Sequence, residues 1–125
     1  MDKMYLSLND IEAYRIAYHL SNKVWNIVLQ WEQFSRNTTG QQFVRAIDSV
    51  SANIAERFGR FGKKDKIRFY RYASGSVYKC LYWNEKAKER KLLSPENYDF
   101  IFQELKKLPK AINALIKYTN EKLSI

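Results

Sequence analysis

Few side chains in this sequence could do covalent or metal chemistry. There is one histidine, His19, and one cysteine, Cys80. A single thiol excludes an intrachain disulfide framework and any CxxC metal or redox pair. Neither HExxH nor a Glu-x-x-His pair occurs, which disfavours a ferritin-type metal bundle. Phosphate-cradling loops of the GxxxxGKS/T or GxGxxG kind are missing too. Gly59-Arg60-Phe61-Gly62 sets two glycines beside a cation, but at a helix C-terminus, the dipole end that repels phosphate. His19, beside Tyr18 and Leu20, reads as a polar helix residue rather than a general base. The expectation is a non-enzymatic protein with no cofactor and no metal.

The cations are more informative. Lys and Arg number 22 against 13 Asp and Glu, a net charge of +9. Such an excess favours an anionic partner, nucleic acid first and an acidic protein second. The charge is localised, because the segment from Arg57 to Lys91 carries the whole excess, with Asp65, Glu85 and Glu89 its only acids. At about 100° per residue, Lys64, Arg68, Arg71, Lys79, Lys86 and Arg90 fall within roughly 100° of arc on a helix. This strip reads as free of acids and extends over about 39 Å. Tyr82 shares its sector, and Arg57, Arg60 and Lys63 stand at its leading end. Cations in such a line can track a phosphate backbone, and Tyr82 could stack on an unpaired base. Those ten residues form the predicted nucleic-acid-binding set, and none of them selects RNA over DNA. The same face could instead dock an acidic or nucleic-acid-handling protein, or simply solvate a long helix. Tyr5, Tyr70, Tyr72, Tyr78 and Trp83 are further candidates for base stacking or for burial at a subunit interface.

The elements that must present this strip are helical. Apolar residues recur at steps of three and four over four segments, roughly 8–32, 41–58, 64–90 and 95–122. The first carries Ala13, Ala17, Leu20, Val24, Ile27 and Trp31, and the second Phe43, Ile47, Val50, Ile54 and Phe58. The third places Phe69, Ala73, Ser76, Val77, Cys80, Trp83 and Ala87 inward. Gly75 lies in its middle, where losing about 1 kcal/mol against alanine calls for close helix packing in return. The fourth carries Ile101, Leu105, Leu108, Ile112 and Ile116, with Pro109 predicting a kink or break. Ser35–Gly40 reads as a polar turn, and Gly59 and Gly62 as helix-ending glycines with left-handed backbone. Ser94 and Pro95 read as the cap and first residue of the last helix. The prediction is one all-α domain over residues 1–125, an antiparallel up-down-up-down four-helix bundle. With no long apolar window and no signal-peptide pattern, the expected setting is cytoplasmic, without a membrane partner. An aromatic content of 15% in so short a chain also predicts self-association.

Residues Arg45 to Arg60, RAIDSVSANIAERFGR, closely resemble the signature of the four-helix proteins encoded in intervening sequences of bacterial 23S ribosomal RNA genes. That signature reads roughly R-x-x-x-S-x-x-x-N-I-A-E-G-x-G-R and is matched at Arg45, Ser49, Asn53, Ile54, Ala55, Glu56, Gly59 and Arg60. A second element, A-x-G-S-L-x-E-L, is matched at Ala73, Gly75 and Ser76, with Val77 for leucine. The resemblance covers about residues 8 to 120. It implies bundles that assemble as ring-like pentamers, with relatives that include the accessory variability protein of diversity-generating retroelements, a partner of reverse transcriptase and nucleic acid. It also implies fold or assembly roles for Arg45, Ser49, Asn53, Glu56, Gly59, Gly75 and Ser76, and it favours RNA through the family's genomic setting. Three departures stand out: Arg57 replaces a usual glycine, Lys79 a common glutamate, and Leu81 another acid. The third helix is thus more cationic here than the family pattern.

Overall fold

The computed structural model describes residues 11–57 and 62–122. Its long helices are α1 (Glu12–Leu29), α3 (Gln41–Glu56), α4 (Lys63–Glu89) and α5 (Pro95–Lys122), with a single turn, α2 (Gln33–Ser35), ahead of α3. Each long helix packs against the next, and α5 returns to α1, so α1 and α4 face each other across the diagonal of the core. With short connections, that ring order is the arrangement of an antiparallel four-helix bundle. Among the described residues there is no strand.

The core follows from the apolar spacing. Ala13, Ala17, Leu20, Val24 and Val28 of α1 are buried against Phe43, Ile47, Val50 and Ile54 of α3 and Ile101, Leu105, Leu108 and Ile112 of α5. On α4 the buried face is rotated from the predicted one. Tyr70 and Asn84 are buried beside Ala73, Ser76, Val77, Cys80 and Ala87, while Phe69 and Trp83 are only half-buried. Tyr70 is therefore a core residue of its own chain and not a stacking or interface group. Its phenol ionises above the usual tyrosine range because burial disfavours the phenolate, an effect that Arg57 partly opposes. Asn84 is buried with its Nδ2 donating to the Tyr98 carbonyl at 3.2 Å, while its Oδ1 has no partner among the described residues.

The first reversal lies earlier than expected. α1 ends at Leu29, and the turn occupies Gln30–Glu32. Glu32 caps α2 by accepting from the amides of Phe34 (3.0 Å) and Ser35 (2.7 Å). Those bonds, with the Ser35 hydroxyl first among causes, hold its carboxyl below the usual range. Ser35–Gly40 is not a turn. Arg36–Gly40 forms a π-helical turn that runs directly into α3. Its two threonines find partners: Thr38 Oγ1 donates to the Phe34 carbonyl at 2.7 Å, and buried Thr39 accepts from Arg90 at the end of α4. Gly40 allows the close approach to α1, since a Cβ there would lie 2.6 Å from Val28 Cγ1.

The other helix ends show two further corrections. Residues 58–61 lie outside the described set, so the predicted helix end at Gly59 does too, as does Phe58. Gly62 is extended rather than left-handed (φ −85°, ψ 150°). Among the described residues the left-handed one is Lys91, at φ 60°. It closes α4 in a Schellman arrangement, with Leu92 N–H donating to the Ala87 carbonyl (2.8 Å) and Lys91 N–H to that of Lys88 (3.0 Å). Ser94 caps α5 as predicted, its hydroxyl accepting from the Asn97 amide at 3.0 Å. α5 continues through Pro109 without the expected break. Leu105, Leu108 and Ile112 are fully buried on either side of the proline, and that packing holds the helix across the missing hydrogen bond.

Candidate nucleic-acid interface

Helix α4 positions the predicted strip. Its inner residues fix its rotation, so Lys64, Arg68, Arg71 and Lys79 stand outward and exposed. Three aromatic rings stand with them: Tyr72, Tyr78 and Tyr82 are 50%, 65% and 53% exposed. Tyr72 and Tyr78 sit about 80° and −40° from Lys64 on the helix wheel, so the periodicity that found Tyr82 also reaches them. Gly75 lies at the centre of this face. It is exposed, and a Cβ would meet nothing within 4 Å, so the close packing expected around it does not occur within the chain. The strip is also not free of acids. Glu89, twenty-five residues beyond Lys64, returns to the edge of the same arc and is exposed.

The cations differ in how far they are already engaged. Lys64, Arg71 and Lys79 make no ion pair or side-chain hydrogen bond among the described residues. Arg68 Nη2 lies 3.1 Å from Asp65 Oδ1, with its guanidinium over the Phe69 ring at 5.3 Å. Lys86 Nζ lies 5.6 Å from the Tyr82 ring centre, and Tyr82 meets Trp83 edge-on at 4.9 Å. Arg90 Nη1 donates to Thr39 Oγ1 at 2.7 Å, which ties the end of α4 to the π-helical turn. Lys63 Nζ donates to the Asn120 carbonyl at 3.4 Å. Arg57 belongs to the fold as much as to the surface: its carbonyl accepts from Lys66 Nζ at 3.2 Å and its guanidinium lies 6.0 Å from the Tyr70 ring centre. Burial, followed by the Arg57 charge, lowers the Lys66 ammonium from its ordinary range. Arg60 and Gly59 lie outside the described residues, as does Tyr5.

The fold gathers part of the set around one groove. Lys63, Lys64, Arg68 and Arg71, with Ile67, Tyr72 and Asn120, line a depression of about 630 Å³ between the start of α4 and the end of α5. That volume is in the usual range for small-molecule sites. Lys79 belongs to a different groove, of about 330 Å³, lined also by Arg45, Ser49 and Ser76. Arg45 is the functional candidate that charge counting along α4 could not find, because it comes from the neighbouring helix. Lys86 and Arg90 line neither of these two grooves.

The signature residues occupy the α3–α4 seam. Asn53 Nδ2 donates to the Ser49 carbonyl (2.8 Å) and to Ser49 Oγ (3.0 Å), and Ser76 Oγ donates to Ser49 Oγ at 2.8 Å. Ser49, Asn53 and Ser76 thus bridge the two helices. Glu56 is exposed at the end of α3.

Nucleophilic chemistry has little to draw on. Cys80 is fully buried, and burial, reinforced by the Asp48 charge, pushes its thiol far above the usual range. A neutral, inaccessible thiol is a poor nucleophile. His19 is exposed and meets the Tyr18 ring edge-on at 5.8 Å. Among the described residues, no three His, Cys, Asp or Glu side chains converge to hold a metal ion, and no helix is long and apolar enough to cross a membrane. The chemistry this surface can offer is attraction, hydrogen bonding and ring stacking.

Comparison with known proteins bears on the fold and the family. The family model described as 23S rRNA-intervening sequence protein matches residues 9–114. A crystal structure of a protein of unknown function from the S23 ribosomal protein family of Bacteroides thetaiotaomicron superposes with a TM-score of 0.74. It is 20% identical, and the match covers 84% of this chain and 98% of that one. No curated protein matches the sequence.

Proposed function

Because the chain belongs to the 23S rRNA-intervening sequence protein family, whose description names a genomic setting and not an activity, we propose a function from the surface itself: α4 binds the backbone of a nucleic acid, RNA first, without catalysis. The observation that carries this reading is that Lys64, Arg71 and Lys79 stand unpaired among the exposed rings of Tyr72, Tyr78 and Tyr82 on one helix face. Unpaired cations release condensed counterions when they meet phosphates, and half-exposed rings stack on bases of any identity. Contacts of this kind position a strand without reading its sequence. Arg68 and Lys86 join at lower value, because each already has a partner. A cytoplasmic setting suits a nucleic-acid partner and a lone reduced thiol.

The protein also self-associates in this reading, as the pentamer implied by the family resemblance. Support comes from α1, where Tyr18, Trp25 and Leu29 are 47%, 52% and 46% exposed along one stripe. This stripe is on the helix diagonal to α4, so assembly through it leaves the basic face open, and repeated copies of that face would add by avidity.

The test is binding of single-stranded RNA and DNA across a salt series, for wild type and for Lys64/Arg71/Lys79 changed to glutamate. Each lost phosphate contact lowers the slope of log K against log salt by about 0.7 for single strands. The triple variant should lose about two units of slope, and most of its affinity, at unchanged oligomer mass. Absence of binding by the wild type near physiological salt would remove the proposal. Capture of an acidic polypeptide by the same residues, with no nucleic-acid affinity, would favour a docking role. Light scattering on Trp25→Glu tests the assembly, which should fall to a smaller mass.

A further inference from the structure

The groove between α3 and α4 has a composition that the fold alone does not require. Arg45 and Lys79 face it from opposite helices, and neither makes an ion pair or hydrogen bond among the described residues. No carboxylate lines it. Two unpaired cations held beside one groove repel each other, and an anion between them would reverse that energy. Asp48 is only three residues from Arg45 but does not pair with it, and burial raises its carboxyl above the ordinary value.

The lining of the groove also includes a hydroxyl donor. Ser76 is 8% exposed, and its hydroxyl is bonded to that of Ser49, which also accepts from Asn53 Nδ2. Two hydroxyl groups bring two protons, and the bond between them uses one. Both Asn53 Nδ2 hydrogens are spent, one on the Ser49 carbonyl and one on its hydroxyl. One hydroxyl proton of the Ser49–Ser76 pair therefore remains to be given, at a groove that otherwise presents a guanidinium and an ammonium. Trp83 forms a wall. A guanidinium fork, a point cation and a hydroxyl donor together suit the several acceptor oxygens of a tetrahedral oxyanion.

We propose that Arg45, Lys79 and the Ser49–Ser76 hydroxyl pair form a seat for one phosphate group. The source is a phosphodiester of the strand that α4 carries, and for that source alone the inference rests on the nucleic-acid reading. The seat would then fix the strand's register against α3, which a strip of cations on α4 cannot do alone.

Inorganic phosphate, titrated against chloride at constant ionic strength, tests the seat without nucleic acid. Saturable shifts of the Trp83 indole N–H and Arg45 Nε resonances are expected, with a dissociation constant on the order of millimolar for so exposed a site. R45Q should weaken that response at least about fivefold, consistent with loss of a charge-assisted hydrogen bond. R45K keeps the charge but loses the fork, and should fall between the two. Unchanged melting temperatures for both variants show that the exposed substitution leaves the fold intact. No saturable shift with phosphate, or equal shifts in R45Q, overturns the seat whatever the RNA result. If phosphate binds and R45Q also loses about 0.7 of the RNA salt slope, the phosphodiester source stands. If phosphate binds while RNA affinity is the same in R45Q, or absent altogether, a free phosphate source replaces it.

Discussion

Replacing Gly40 and Gly75 in turn by alanine should move stability in opposite directions. Both glycines sit inside helical backbone, where alanine is favoured by about 1 kcal/mol. At Gly75 the new Cβ meets nothing within 4 Å. The propensity gain is realised in full, and a chain of this size should melt about 4 °C higher. At Gly40 the new Cβ would lie 2.6 Å from Val28 Cγ1 and 3.2 Å from the Ser35 carbonyl oxygen. Val28 is buried and branched, and Ser35 O is backbone, so neither yields cheaply. Overpacking of this kind costs about 1–3 kcal/mol, which cancels the propensity gain or exceeds it by up to about 2 kcal/mol. Gly40→Ala should therefore melt at the wild-type temperature or several degrees below it. Helical circular dichroism followed through thermal and urea unfolding measures both variants. The reasoning is refuted if Gly40→Ala raises the melting temperature as much as Gly75→Ala. A destabilised Gly75→Ala would show that another copy of the chain covers this face of α4, and would move the assembly surface from α1 to α4.

Lys91→Gly should stabilise the protein by up to about 1 kcal/mol, since a left-handed residue with a Cβ costs about 1–2 kcal/mol and glycine returns part of that as backbone entropy. Lys91 is not among the proposed contact residues, so nucleic-acid binding should change little, which a salt titration checks. Ser94→Ala should cost about 1 kcal/mol by removing the cap of α5, measured by urea unfolding. Cys80 gives a pH dependence whose sign is fixed. The folded thiol stays protonated above the range where the unfolded one ionises, so the unfolded state binds fewer protons and stability falls as pH rises. The loss should be about 0.7 kcal/mol per pH unit at pH 8.5 and approach about 1.4 kcal/mol per unit above about pH 9.5, and Cys80→Ala should flatten the slope between about pH 8.5 and 10. An identical slope in that variant would count against a buried neutral thiol. Above that window Tyr98 contributes in the same direction, because its hydrogen bond to Glu85 raises the phenol to about 12.

Much of the fold was legible because period and capping are local. Phe43, Ile47, Val50 and Ile54 repeat as a helix should, and Ser94-Pro95 announces a helix start by its own chemistry. The Ser35–Gly40 segment misled because its residue types favour turns in isolation. Burial of Thr39, its bond from Arg90 and the contact of Gly40 with Val28 all come from distant parts of the chain. At Pro109 the helix is not interrupted, since buried neighbours outweigh one missing hydrogen bond. On α4 the aromatic residues blurred the stripe: Tyr70 and Trp83 are both amphipathic, and only packing decides which is covered. The cations were legible as a line, but pairing was not. Periodicity places Arg68 and Arg71 side by side and says nothing of Asp65, which holds one and leaves the other free. Arg45 was visible only as part of a signature, and its nearness to Lys79 is a tertiary fact.

The diagonal relation of α1 and α4 has a consequence for how such a chain can change over time. Substitutions at well-separated residues that share no side-chain partners combine additively, whereas those in contact couple. A change of charge on the outer face of α4, such as at exposed Lys79, is therefore close to invisible from the outer face of α1. The two surfaces can drift, be selected or be lost separately, while the Ser49–Asn53–Ser76 bridge between α3 and α4 is held in place by its own hydrogen bonds. A lineage could change the charge of one outer face without disturbing the other. Sequence signatures taken from the bridge would then track ancestry across members whose outward-facing charges, and whose partners, no longer agree.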